Sequence, residues 1–249
     1  MTLTSVTLFH YLVTAHIVTG TVGLLTLWIP ILSRKGGRLH RYWGKIFAYA
    51  LLATGCIAIG ISVCTLISPL ETHPSLGDLF DNTRVIRAVF GWMMLYLAVM
   101  TINLSWYGLA CIKNRNSHAR NRHPVILLGQ LLTFVTAANC FWQGVAVAQP
   151  LLPGIAIVGL AAAILNTRFI LTRKPLPQEW LVQHSRGLVG AGISVYTAFL
   201  AFGAVNLLPK AAFNPVLWAT PTTIGVTYLL YHQWQVMKRR AKLASRVMT

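Results

Sequence analysis

Acidic residues are scarce in this sequence, with four Asp and Glu against 21 Lys and Arg in 249 residues. Charged residues make up 10% of the chain, whereas soluble domains contain about 25%. So few charges do not cover a water-facing surface, and the 55% of hydrophobic residues must therefore face lipid. The composition predicts an all-α integral membrane protein in which residues 1–249 form a single domain, because little length remains outside the apolar segments.

No Asp or Glu falls inside the long apolar segments. Transporters coupled to protons or cations commonly carry such a residue at mid-membrane, so the sequence disfavours that class. The sequence also lacks the HExxH, HxxxH, CxxC and CxxCH patterns of common metal and haem sites. Its four cysteines lie within or at the ends of apolar segments, which disfavours a disulfide framework.

The net charge of +17 would suggest nucleic-acid binding in a soluble protein. Here the basic residues sit in short blocks between long apolar runs, and no stripe or tail is long enough to follow a phosphate backbone. We therefore expect no nucleic-acid partner. Such blocks are typical of topology signals and of contacts to the anionic head groups of a lipid bilayer on its cytoplasmic side.

Seven apolar stretches are long enough to cross a bilayer, which takes about 20 residues in helical form. They are residues 6–32, 44–68, 85–112, 124–148, 151–171, 180–208 and 215–237. Two prolines and a glycine in the run 149–154 predict a tight reversal between the fourth and fifth stretches. Without that reversal the count would fall to six.

The basic residues fall on one side of such a seven-helix bundle. Eighteen of the 21 lie after the first and third stretches, between the fifth and sixth, or in the C-terminal tail, and only Arg84, Arg87 and Lys210 lie on the other side. The positive-inside rule places the eighteen in the cytoplasm. This predicts a multi-pass membrane protein with its N-terminus outside and its C-terminus inside.

The polar residues within the apolar stretches have two interpretations, and the small residues have one. Asn103, Gln130 and Asn166 either line a cavity or form hydrogen bonds between helices. Gly187 and Gly190 in the sixth stretch predict close packing against a neighbouring helix.

One histidine, His16, lies ten residues into the first stretch, roughly 15 Å deep at 1.5 Å per residue. An ionisable group at that depth indicates a functional site by default. The alternative is a neutral imidazole that forms a hydrogen bond between helices. Both interpretations stay open at this stage.

Four other histidines, His40, His123, His184 and His232, are expected near the cytoplasmic interface at similar depth. Neutral imidazole is the commonest metal ligand in proteins. Two such side chains on facing helices could hold a haem, and three could hold zinc or iron with one position open. Contacts with lipid phosphates explain interfacial histidines equally well.

Two stretches of the sequence combine polar residues with a fixed apolar context. The first contains His16-Ile-Val-Thr-Gly20, Gly23, Leu39-His40-Arg41-Tyr42-Trp43-Gly44-Lys45 and Tyr49. The second contains His184, Gly190, Tyr196-Thr197-Ala198-Phe199-Leu200, Asn206, Leu208-Pro209, Trp218 and Pro221-Thr222. Together they resemble a bacterial multi-pass membrane-protein family catalogued as domain of unknown function 2306. The resemblance implies a location in the inner membrane of a bacterium and no activity, and it points to His16, His40 and His184 as the positions of interest.

Three functional hypotheses follow. The leading one is a membrane protein that binds haem or a transition metal such as Zn or Fe and supports redox chemistry. His16, His40 and His184 are its cofactor-binding candidates, and His40, His123, His184 and His232 are its metal-ligand candidates. The second hypothesis is a transporter or channel for a small neutral or anionic solute, with a polar path past Asn103, Asn166 and His16. The third is a non-catalytic assembly partner or sensor.

Overall fold

The computed structural model describes residues 5–74, 83–200 and 215–247. Within these ranges the chain is helical and has no β-strand. The α-helices are α1 Ser5–Thr26, α2 Trp28–Leu32, α3 Arg38–Ile67, α4 Pro69–Thr72, α5 Thr83–Ile86, α6 Met94–Lys113, α7 Pro124–Ala146, α8 Leu151–Leu171, α9 Glu179–Ala198 and α10 Pro215–Val247. A π-helix, Arg87–Met93, joins α5 to α6, and a 3₁₀-helix, His118–Arg122, precedes α7. The all-α prediction is confirmed.

Among the described residues, five helical segments are long and apolar enough to cross a membrane. They are Val6–Leu32, Arg38–Ile67, Thr83–Lys113, Pro124–Ala146 and Leu151–Leu171. These correspond to the first five predicted stretches, with bounds that differ by at most six residues. Several apolar helices of this length indicate a membrane protein.

α9 and α10, which correspond to the sixth and seventh predicted stretches, are not among these five segments of the described chain. The first two turns of α9 contain Gln183, His184 and Arg186, and its predicted apolar continuation, 201–208, lies outside the described residues. Threonines, prolines and tyrosines lower the hydropathy of α10. Asn206 and Leu208-Pro209, which carry part of the family resemblance, also lie outside the described residues.

The reversal between the fourth and fifth stretches is present. It occupies residues 147–150, because α7 ends two residues before the predicted end of the fourth stretch and α8 begins at Leu151, the predicted start of the fifth. α7 ends at Ala146, and Ala148 adopts a left-handed conformation with φ 53°. Pro150 then caps α8, and Pro153 lies inside its first turn, where a proline is tolerated because the N–H is unpaired anyway. The two helices pack against each other along their length.

α6 is the central helix and contacts α3, α7 and α9. Its closest neighbour is α9. A Cβ atom on Gly187 would lie 2.8 Å from the Cα and N atoms of Gly108 and from the carbonyl oxygen of Leu104. The two backbones are therefore in direct contact, as expected for membrane helices whose interface residues are small. The predicted close packing at Gly187 is confirmed.

Three buried amide side chains join α6, α7 and α8. Gln130 exchanges two hydrogen bonds with Asn103, of 2.7 and 3.1 Å, and accepts a third from Nδ2 of Asn166 over 3.2 Å. All three residues are buried. Of their two predicted readings, the structure supports hydrogen bonding between helices.

Replacing Gln130 with leucine should lower the stability of the bundle by about 1–3 kcal/mol, because Asn103 and Asn166 would lose their buried partner. Thermal unfolding of the purified protein in detergent measures the loss. Gln143→Leu on the same helix is the matched control, since Gln143 makes one weak bond of 3.5 Å to Asn139. Equal melting temperatures for the two variants would contradict a stabilising role for the network.

Candidate functional site

A cavity of about 1020 Å³ lies at one end of the helix bundle, where α2, α3, α6, α9 and α10 meet. We call it the basic cavity. Its apolar wall includes Leu27, Ile31, Phe47 and Leu188. Pockets of about 300–1,000 Å³ suit ligands of drug or cofactor size, so this cavity has room for a large cofactor.

Five basic residues line the cavity, and they come from the first two basic blocks of the sequence. They are Lys35, Arg38, Arg41, Lys45 and Arg115. No Asp or Glu is among its lining residues in the part of the chain that the structure describes. The cavity therefore presents a positive rim beside an apolar wall, and this charge favours an anionic or partly anionic ligand.

His40 is positioned by the turn 33–37 between α2 and α3. Gly36 has φ +77°, a conformation that glycine adopts without a steric cost. The turn returns α3 against the end of α2, whose last carbonyls have no helical partner. Nδ1 of His40 donates to the carbonyl of Pro30 over 3.0 Å, and Nζ of Lys35 donates to the same carbonyl over 2.9 Å. Partial burial lowers the pKa of the Lys35 ammonium group.

His184 is positioned by the close contact of α6 and α9. It lies one turn before Gly187 and is 9% exposed. Nδ1 of His184 donates to the carbonyl of Gly108 over 2.8 Å. That carbonyl is within reach because glycine at both 108 and 187 lets the helices approach. The ring of His184 is thus fixed by the backbone of another helix.

The two imidazoles meet in the basic cavity. The ring centres of His40 and His184 are 6.5 Å apart, with 68° between the ring planes. When such a ring is neutral, Nδ1 carries the proton, since it donates to a carbonyl, and Nε2 therefore keeps its lone pair. A metal-binding histidine typically has this arrangement, in which one nitrogen donates to a carbonyl and the other binds the metal.

His232 of α10 lines the same cavity and stacks on Tyr228, with ring centres 6.3 Å apart. His40 and His232 are both within electrostatic range of His184. The described residues nevertheless contain no group of three or more His, Cys, Asp or Glu side chains with a geometry that could hold a metal ion. The structure therefore assembles two candidate ligands with a third histidine nearby, without forming a three-ligand zinc or iron site.

The other two predicted histidines lie elsewhere. His123 is exposed at the N-terminus of α7, where its Nδ1 accepts from the backbone N–H of Val125 over 3.3 Å. His16 is half-buried, and its Nδ1 donates to the carbonyl of Thr54 over 3.2 Å. Thr54 is 14 residues along α3 from His40, roughly 21 Å at 1.5 Å per residue. Neither His123 nor His16 lines the basic cavity.

Sequence reasoning assigned the basic residues of the cavity to membrane topology and to contacts with anionic lipid head groups. Arg38, Arg41 and Lys45 fall on α3 and Arg115 follows α6, and the packing of these helices places them around one space. Their spacing of three and four residues on α3 indicates a shared helix face. No sequence signal identified that face as the wall of a cavity.

Comparison with known proteins identifies no relative. The chain matches no known family model, no curated protein and no solved structure. The resemblance to domain of unknown function 2306 therefore stays a prediction, and the functional interpretation depends on the geometry of the basic cavity.

A further histidine, His73, lies outside the predicted membrane spans and the basic cavity. Its ring contacts Phe9 and Phe90, with centres 5.6 and 4.6 Å away, and its Nδ1 is 3.0 Å from the hydroxyl of Thr72. This burial lowers the pKa of His73 below 6.5. The folded chain then takes up the proton at a lower pH than the unfolded chain, so stability is lost as the pH falls from 6.5 toward the folded-state pKa.

Replacing His73 with phenylalanine should make the melting temperature less sensitive to acid, because the ring contacts are kept and the titrating group is removed. The measurement compares thermal unfolding at about pH 7.5 and about pH 5.5, on either side of the ordinary histidine pKa. His10→Phe, at an exposed position of the neighbouring α1, is the control. If the melting temperature of His73→Phe falls between the two pH values by as much as that of the wild type, the prediction is contradicted.

Proposed function

We propose that this protein holds a haem between His40 and His184 in the basic cavity and takes part in electron transfer in a membrane. The observation that carries the proposal is the pair of imidazoles from two helices, each with Nδ1 tied to a backbone carbonyl and Nε2 left as a lone-pair donor.

The separation of the two rings supports this proposal. Two imidazoles on opposite sides of one metal, with metal–nitrogen bonds of about 2 Å, have ring centres roughly 6 Å apart. The observed 6.5 Å between His40 and His184 agrees with that value. Haem needs only two protein ligands, whereas structural zinc needs four and catalytic zinc three. The geometry therefore favours haem over a bare metal ion.

The rest of the cavity also suits haem, which combines an apolar macrocycle with two carboxylates. Leu27, Phe47 and Leu188 supply apolar surface, and Arg38 and Arg115 supply positive charge. Arginine binds carboxylates in bidentate geometry. When bound, the haem would supply the one-electron chemistry. The chain's own residues would fix the orientation of the haem, and their charge and burial would set the reduction potential of the haem.

The membrane setting is part of the proposal. We infer seven membrane-spanning helices, with α9 and α10 as the last two, the N-terminus outside and the basic end in the cytoplasm of a bacterium. Two features support this orientation: the excess of basic residues on one side of the predicted topology, and the convergence of Lys35, Arg38 and Arg115 on one cavity.

The test is the visible absorption spectrum of the purified full-length protein, after expression with added haem precursor and after reconstitution with ferric haem. We expect a Soret band and about one haem per chain. The proposal would be overturned by a protein that folds, shows no Soret band in either preparation and does not bind added haem.

A second candidate function is binding or transport of a small anionic solute, favoured by the five basic side chains of the cavity. Its expected path past Asn103, Asn166 and His16 is not supported. Asn103 and Asn166 are buried in hydrogen bonds to Gln130, and none of the three path residues lines the basic cavity. Saturable uptake of an anion by proteoliposomes would favour this candidate.

The third hypothesis, a non-catalytic assembly partner or sensor, makes a different prediction. An empty protein that co-purifies with one stable partner would support it over both alternatives.

A further inference from the structure

A second cavity lies on the outside of the bundle, between α1 and α3. We call it the lateral groove. It has a volume of about 480 Å³ and is lined by Val18, Thr19, Val22, Tyr42, Lys45, Ile46, Tyr49 and Ala50. Val18 is 61% exposed and Tyr49 60% exposed, so the groove opens outward, where the bilayer would be.

The lateral groove and the basic cavity share two residues, Tyr42 and Lys45. Both side chains are exposed, Tyr42 at 64%. The groove therefore adjoins the basic rim, and Lys45 lies at their junction. A ligand in the groove would place one end at that junction and the rest along the outside of the helix pair.

The two ends of the groove differ in chemistry. Val18 and Val22 on α1, and Ile46 and Ala50 on α3, are each spaced by four residues and so form two short apolar rows. At the junction, Lys45 is one turn from Arg41 on α3. The groove thus pairs an apolar trough with a cationic end.

Tyr42 marks the expected depth of this end. It lies three residues before Lys45 on α3, and tyrosines are enriched at the level of the lipid head groups. Arg41, one turn from Lys45, follows the turn 33–37 at the end of the first membrane span. The groove therefore follows the direction of a lipid, with its polar end at the interface and its apolar end toward the membrane centre.

We propose that the lateral groove binds an anionic phospholipid, with its phosphate at Lys45 and Arg41 and an acyl chain along Val18, Val22, Ile46 and Ala50. Three features favour this occupant: the positive charge, the absence of Asp or Glu among the described lining residues, and the outward opening of the groove. The bound phosphate would also cover the rim of the basic cavity at Tyr42. This site does not depend on the presence of haem.

Native mass spectrometry of the full-length protein tests the proposal, with phosphatidylglycerol and phosphatidylcholine of identical acyl chains as the probes. We expect one phosphatidylglycerol molecule to stay bound to the protein when the detergent is removed, and we expect phosphatidylcholine to be retained more weakly. Lys45→Gln should weaken phosphatidylglycerol binding about fivefold, the effect of one basic residue near an anionic membrane surface. Ile46→Trp, which fills the trough, should displace the lipid without changing the charge.

Lys113→Gln is the matched control, because Lys113 is exposed at the same end of the bundle and lines neither cavity. It should leave lipid binding unchanged. Three results would overturn the proposal: equal retention of both lipids, the same loss in Lys113→Gln as in Lys45→Gln, or full displacement of the lipid by soluble glycerol phosphate. The last result would indicate an anion site without a role for the groove. A chain that retains the lipid, shows no Soret band in either preparation and does not bind added haem would overturn the proposed function and leave this inference standing.

Discussion

Replacing His184 with alanine should weaken haem binding by more than about 100-fold and shift the Soret band of any haem that remains bound, because one of the two imidazole ligands is lost. Loss of a hydrogen-bonding partner behind a ligand alone typically costs about 10–100-fold in metal affinity, and loss of the ligand should cost more. His40→Ala should have the same effect, because both imidazoles are proposed to bind the same iron. Haem titration monitored by absorbance measures the affinities.

The controls use the histidines that the structure places elsewhere. His123→Ala and His16→Ala should retain the spectrum, since neither residue lines the basic cavity. His184→Met should recover haem binding with a changed reduction potential, because methionine is itself a haem ligand that raises the potential. A merely structural role for His184 predicts no such recovery. Retention of the wild-type spectrum in both alanine variants would reject these two residues as the ligands.

The second large effect is expected at the contact of α6 with α9. Gly187→Ala should lower stability by about 1–3 kcal/mol, the usual cost of overpacking a tight interface. The added methyl group would lie 2.8 Å from backbone atoms of Gly108, which no side-chain rotation can relieve. The helices must separate, and the bond of 2.8 Å from His184 to the Gly108 carbonyl must lengthen. We therefore expect a lower melting temperature together with about 10–100-fold weaker haem binding.

Gly190→Ala is the matched control for this variant, since it makes the same change on the same helix, three residues later. Its methyl group would meet only the terminal carbon of Leu104 at 3.4 Å, and a flexible side chain can move away. It should leave both the melting temperature and haem binding almost unchanged. If the two variants behave alike, the close contact at Gly187 does not position His184.

The fold was predictable from composition and hydropathy where the helices face lipid. The first five spans were found because their apolar runs are continuous, and the turn before α8 was found because two prolines and a glycine lie in the run 149–154. α9 was the harder case, since its buried face carries Gln183 and His184 and lowers its hydropathy. Burial against α6, rather than lipid, explains these polar residues.

The site was only partly predictable. The sequence pointed to His40 and His184, but it also included His123 and His232, which it placed at the same depth, and His16, to which the family resemblance pointed. Two histidines come together only if their helices are rotated so that both side chains face the same space. That rotation is set by tertiary contacts such as the one between Gly108 and Gly187. The hydrogen bonds that fix each Nδ1 involve carbonyls, which leave no trace in the amino-acid sequence.

The electron paramagnetic resonance spectrum of the purified, oxidised wild-type protein tests the central claim most directly. Two axial imidazoles give six-coordinate, low-spin ferric haem, so we expect a low-spin signal at about one haem per chain. The same sample of His184→Ala should lack that signal. A wild-type protein that contains no iron, or only high-spin haem that persists in both His40→Ala and His184→Ala, would contradict the proposed site.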